Sequence, residues 1–139
     1  EEVLSSAPGA RSLINSNDAQ SFFGLRGGGI GWSLPAAIGV KLALPDRPVV
    51  SLTGDGSALY TAQGLWSAAH SRVAVTWVIF NNTSYRILKQ RLVAMRGLAE
   101  QADNFVGMEL NNPAVDFVGL AKSLGIDAAR KIVAAVKGN

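Results

Sequence analysis

Two short apolar runs rich in β-branched residues, VVSLT (49–53) and VAVTWVIF (73–80), break the polar texture of the chain. Their length and composition predict strands buried on both faces, the pattern of a parallel sheet. Between them, Leu59, Ala62, Leu65, Trp66 and Ala69 recur at helical spacing, which predicts one helix from near Ser57 to His70. Upstream, SLPAAIGVKLAL (33–44) reads as a buried helix with Ser33 as its N-cap and Pro35 in its first turn. PDRP (45–48) ends it in a turn.

The remaining stretches carry weaker patterns. Residues 3–14 predict a short helix interrupted by Pro8 and Gly9, and 15–32 a loop that is polar, then aromatic, then Gly-rich. Tyr85 to Met95 predicts a basic amphipathic helix, 96–113 an irregular polar segment, 114–126 a helix led in by Asn112-Pro113, and 127–139 a final helix. Trp66 and Trp77 read as core residues, and His70 as a helix-terminal residue suited to the dipole. Strand, helix, strand and helix in succession predict an α/β domain with a parallel sheet.

That order gives two polar residues a shared address. Asp55 follows the first strand and Asn82 the second, 27 positions later. One right-handed strand–helix–strand unit fills such a gap. Both residues then lie at the carboxyl edge of the sheet, where open α/β sheets bind ligands. Gly54 and Gly56 flank Asp55 and allow a sharp turn. The helix that follows directs free N–H groups to the same place, which favours phosphate. A carboxylate, an amide oxygen and a loop carbonyl form an all-oxygen half-shell suited to Mg²⁺. Each motif alone also fits a plain turn, since Gly-Asp-Gly and Asn-Asn are ordinary turn sequences. Their pairing across one crossover is what makes them specific.

Composition narrows the chemistry. The chain has 139 residues, no Cys and one His, which excludes thiolate nucleophiles, disulfides and multi-histidine metal sites. The net charge of +3 is spread along the chain apart from a loose cluster at Arg86, Lys89, Arg91 and Arg96, without the aromatic-basic interleaving of nucleic-acid modules. No apolar run approaches the roughly 18 residues of a membrane span. The expectation is a cytoplasmic protein that engages neither nucleic acid nor membrane. GGGIG (27–31) lacks dinucleotide-fingerprint spacing, and no P-loop motif occurs.

GDGS followed by NN resembles the cofactor signature of thiamine-diphosphate-dependent enzymes. RGGGIGWSLPAAIGVKLALPDRPVVSLTGDGSALYTAQGLWSAAH is similar to the diphosphate-binding domain of benzoylformate decarboxylase and its relatives in the acetolactate synthase superfamily. The resemblance runs from about Glu2 to about Leu92. It implies that Asp55, the Asn82 side chain and the Ser84 carbonyl bind Mg²⁺. Gly54 belongs to the same cofactor-binding set. Gly56, Ser57 and Ser5 would hydrogen-bond the diphosphate, with Tyr85 beside it. Gly28 would offer its carbonyl to the exocyclic amine, and Ile30 would support the bent cofactor from below. Leu4, Ile87 and Leu88 would line part of a substrate pocket, and Arg91 could meet an acidic substrate. NNTSY stands where the family more usually has NNGxY, so Thr83 occupies a glycine position.

The resemblance also implies a context. The fold would be a three-layer doubly wound parallel sheet with helices on both faces, incomplete at both ends. Residues 1–139 would be one diphosphate-binding domain, the C-terminal part of a three-domain enzyme. The catalytic glutamate would come from the N-terminal pyrimidine-binding domain of another subunit in a homodimer or homotetramer. None of Glu1, Glu2, Glu100 or Glu109 is expected to take that role, so the chain alone would be inactive. The implied reaction is non-oxidative decarboxylation of a 2-oxo acid. An acetolactate-synthase-like carboligase and a non-catalytic diphosphate-binding module are the alternatives.

Overall fold

The computed structural model describes residues 1–130. Its centre is a parallel pair of strands, β1 (Val50–Gly54) and β2 (Thr76–Phe80), in register from Val50 opposite Thr76 to Gly54 opposite Phe80. Glu2 adds a parallel bridge to Thr53 on the other edge of β1. Parallel strands cannot be joined by a tight turn. The crossover here is made by α3 (Asp55–Tyr60) and α4 (Gly64–His70). The expected single helix is therefore split. The Gly64 N–H bonds the Thr61 carbonyl in a turn, and the Thr61 hydroxyl leaves the helix to bond Gly31.

The other helices are α1 (Ala7–Leu13) and α2 (Ser33–Ala43) before the strands, and α5 (Arg86–Ala94), α6 (Leu98–Gln101) and α7 (Phe117–Ser123) after them. Pro8 sits in the first turn of α1, where its missing N–H costs nothing, so it starts the helix and does not interrupt it. Asp116 caps α7 by accepting from the N–H groups of Val118 and Gly119, so the helix begins later than Asn-Pro suggested. The segment 96–113 contains α6 and is otherwise irregular. Residues 127–130 are not helical, and the rest of the expected final helix lies outside the described residues.

Side-chain alternation divides the sheet. Trp77 and Ile79 point to a core formed by Leu34 of α2, Ala58 of α3, Leu65 of α4 and Ala121 of α7. Burying a leucine such as Leu34 contributes about 1.5–3 kcal/mol. Ser51 and Thr53 share that face and are fully buried. On the opposite face Val50 and Val78 are 58% and 40% exposed, so the described residues cover one face of an α/β sheet. Trp66, expected in the core, is 54% exposed and stacks on His70 with ring centroids 4.8 Å apart. Helix α4 turns Leu65 and Ala68 inward instead.

Candidate functional site

The carboxyl ends of β1 and β2 open into a small cleft. Gly54 has extended backbone (φ −72, ψ 151), and Asp55 follows directly as the first residue of α3. The helix thus starts two residues earlier than expected, and Asp55, Gly56 and Ser57 are buried in its first turn. Asp55 Oδ1 accepts from the Gly56 N–H at 2.9 Å, and Oδ2 accepts from the Asn82 N–H at 3.1 Å. The carboxylate therefore spans from α3 to the loop after β2, and Asp55 lines the cleft.

The loop after β2 is tightly wound. The Asn82 side-chain oxygen accepts from the Ser84 N–H at 3.1 Å, and Thr83 takes φ +55. That left-handed conformation favours glycine and strains a β-branched residue. The Ser84 hydroxyl and the Tyr85 N–H both bond the Met108 carbonyl, which anchors the loop to the polar segment beyond α5. The Tyr85 ring packs against Gly56, where a Cβ would sit 2.5 Å from a ring carbon. Only glycine fits there. Burial pushes the Tyr85 phenol above its ordinary value, with Tyr60 and Asp55 adding to the shift.

The cleft is lined by Leu4, Ser5, Ile30, Gly54, Asp55, Gly56, Ser57, Asn82, Ser84, Tyr85 and Ile87. The fold therefore gathers four of the expected chain segments and nearly all the expected site residues. Leu88 and Gly28 do not line it. Leu88 is exposed on α5, and Gly28 is exposed at φ +70 in the glycine loop. Ser6, not Ser5, occupies the cap position of α1, so Ser5 is not that helix's cap. Sequence patterning overlooked Glu2, Phe80 and Arg86, which also border the cleft. It also overlooked Tyr60, which packs on Gly31. An acidic residue directly before the apolar pair Val3-Leu4 was the available signal for Glu2.

The cleft has a volume of about 60 Å³. A whole ligand pocket is typically ~300–1,000 Å³. This cleft accommodates one end of a ligand, such as a phosphate with a bound cation. A larger cavity beside β1 and α2 is lined by residues such as Phe22, Phe23, Val40 and Val50 and includes neither Asp55 nor Asn82. Among the described residues no three His, Cys, Asp or Glu side chains cluster. A cation here would rest on one carboxylate, neutral oxygens and the ligand's own oxygens. That donor set fits Mg²⁺ with a diphosphate.

Residues 6–137 match the family described as "Thiamine pyrophosphate enzyme, C-terminal TPP binding domain". The chain belongs to this family. It is 36% identical over 115 residues to benzoylformate decarboxylase of Pseudomonas aeruginosa, covering 83% of this chain and 20% of that protein. It is 41% identical over 113 residues to IlvX of Mycobacterium tuberculosis, named for the acetolactate synthase large subunit, covering 81% of this chain and 22% of that protein. The crystal structure of benzoylformate decarboxylase from Polynucleobacter necessarius superposes with a TM-score of 0.76 at 35% identity, covering 90% of this chain and 23% of that one. The chain thus spans about a fifth of the length of the curated relatives it matches. Thiamine pyrophosphate, the diphosphate of thiamine, is the cofactor of this family. Among the described residues no helix is long and apolar enough to cross a membrane.

Proposed function

We propose that this domain holds Mg²⁺ and the diphosphate of thiamine diphosphate within a 2-oxo acid decarboxylase of the benzoylformate-decarboxylase kind. The observation that carries the proposal is the Asp55–Asn82 bond at the carboxyl edge of β1 and β2. It joins the only carboxylate of the cleft's first α3 turn to the loop that supplies the amide and carbonyl oxygens. Asp55, Asn82 and the Ser84 carbonyl would hold the metal. Gly56, Ser57 and Ser5 would bond the diphosphate. Tyr85 would wall it in, and its phenol stays protonated well past neutrality and so remains a donor.

Bound thiamine diphosphate supplies an electron sink for carbanion chemistry. The chain's own residues orient it. Ile30, 41% exposed at the cleft wall, offers an apolar surface to the part of the cofactor beyond the diphosphate. The Gly28 carbonyl would accept from the exocyclic amine. Leu4 and Ile87 border the cleft and would meet the 2-oxo acid, with Leu88 farther out on α5. Among the glutamates, Glu2 is buried but committed to backbone N–H groups, and Glu1 and Glu109 are paired with Arg11 and Lys89. By the family resemblance, the catalytic glutamate would come from the pyrimidine-binding domain of another subunit, in a homodimer or homotetramer. The protein would act in the cytoplasm.

A second reading, acetolactate-synthase-like carboligation, is favoured by the 41% identity to IlvX. One assay separates the two. The intact protein, saturated with Mg²⁺ and thiamine diphosphate, is given benzoylformate or pyruvate. Release of CO₂ with aldehyde from benzoylformate supports the decarboxylase. Acetolactate from pyruvate, with benzoylformate untouched, supports the carboligase.

A further inference from the structure

Glu2 is 1% exposed, yet its carboxylate lies outside the proposed metal set. Its backbone is part of the sheet: the Glu2 N–H bonds the Leu52 carbonyl at 2.8 Å, and the Glu2 carbonyl accepts from the Gly54 N–H at 3.0 Å. Its side chain points to a different wall of the cleft. Oε1 accepts from the Gly31 N–H at 2.6 Å, and Oε2 accepts from the Ser33 N–H at 2.7 Å. These bonds cross 29 and 31 residues of sequence. Ser33 opens α2, and Trp32 at the cap position makes no side-chain cap bond. Glu2 therefore does the capping from a distance, with its negative charge at the favourable end of the helix.

Gly31 is also held through its carbonyl, in the next peptide. The Thr61 hydroxyl donates to the Gly31 carbonyl at 2.7 Å. Gly31 has φ +87, and a Cβ there would lie 2.5 Å from Tyr60 Cβ, so the backbone is pressed against the turn after α3. Below, the Ser33, Thr53 and Ser51 hydroxyls form a buried chain with contacts of 2.7 and 3.0 Å. Glu2 bonds Gly54 beside Asp55, Thr61 follows directly after α3, and the residue immediately before Gly31 is Ile30.

We propose that Glu2 and Thr61 are positioning residues that clamp Gly31 and so fix Ile30 in the cleft wall that meets the part of the cofactor beyond the diphosphate. The inference rests on the cofactor reading above. Glu2 couples the two walls directly, since its backbone sets the end of β1 and its carboxylate sets the glycine loop. The clamp acts on the part of the ligand beyond the diphosphate, because Asp55 and Gly56 have their own bonds.

The test uses the intact protein with Mg²⁺ and compares inorganic pyrophosphate with thiamine diphosphate by calorimetry, beside the melting temperature of each variant. Glu2→Gln places an amide NH₂ against one backbone donor, and Thr61→Val removes the hydroxyl at constant shape. Each is expected to weaken thiamine diphosphate about tenfold, the scale of one lost hydrogen bond in a positioned site. Pyrophosphate affinity should stay within about twofold. In an Ile30→Ala background the thiamine-diphosphate effect should vanish. Thr61→Val carries the test if Glu2→Gln does not fold. Equal losses for both ligands, or no loss for either in Thr61→Val, would overturn the clamp and leave the cofactor reading standing. Failure of the parent protein to bind either ligand would overturn both.

Discussion

The Asp55 carboxylate accepts a hydrogen bond from the Asn82 N–H across 27 residues of sequence, at 3.1 Å. This single contact ties the first turn of α3 to the loop after β2. It turns two separate turn motifs into one oxygen-rich site. Asp55 is buried and Asn82 exposed, so the pair has one anchored member and one member open to a ligand.

Gly56 and Tyr85 define the width of the site. In Gly56→Ala the new methyl would meet the Tyr85 ring, which must move away from the cleft. Overpacking of this kind costs about 1–3 kcal/mol. Thermal unfolding should show that loss, and cofactor affinity should fall with it. Replacing Tyr85 by Ala in the same chain should recover part of the stability, because the clash disappears.

Thr83 has the opposite relation to its backbone. At φ +55 a β-branched residue is strained, by about 1–2 kcal/mol relative to a residue free to occupy that region. Glycine relieves the strain but loses about 0.5–1 kcal/mol through its larger unfolded-state entropy. Thr83→Gly should therefore be neutral to mildly stabilising in chemical denaturation. A loss of more than about 1 kcal/mol would show that the Thr83 hydroxyl, which bonds the Asn82 carbonyl, dominates the loop.

The sheet edge was legible because strand length, crossover length and turn residues all follow from local pattern. Asp55 and Asn82 needed nothing further. The clamp on Gly31 was not legible, because Glu2 and Thr61 bond to backbone groups about 30 residues away, and backbone donors leave no trace in residue identity. The split of the crossover helix was half-written in Gly64, whose flexibility permits the turn, but the pull of Gly31 on Thr61 is tertiary. Trp66 followed the helical period inward on paper. In the fold Leu65 stays inward as expected, Ala68 replaces Ala69 as the buried alanine, and Trp66 is left outside.

Tyr85 gives the site a signature at alkaline pH. Burial, then the neighbouring Tyr60, raises its phenol above the ordinary value of 10.0. A raised value favours the neutral form in the fold. Its contribution to stability is complete below pH 10 and is lost as pH rises through the folded value. The melting temperature should fall in that alkaline range, and Tyr85→Phe should flatten the fall. Phenolate absorbance should place one tyrosine above the free value, and that tyrosine should be absent in the variant.

The central claim is that Asp55 binds the metal that binds the diphosphate. Calorimetric titration of thiamine diphosphate into the intact protein, with and without Mg²⁺, and again in Asp55→Ala, tests it. The account predicts tight binding only with Mg²⁺ and a loss of at least about 100-fold in Asp55→Ala, which is roughly 2.7 kcal/mol. The variant's melting temperature would show that it remains folded. Unchanged affinity in folded Asp55→Ala, or equal affinity without Mg²⁺, would contradict the account.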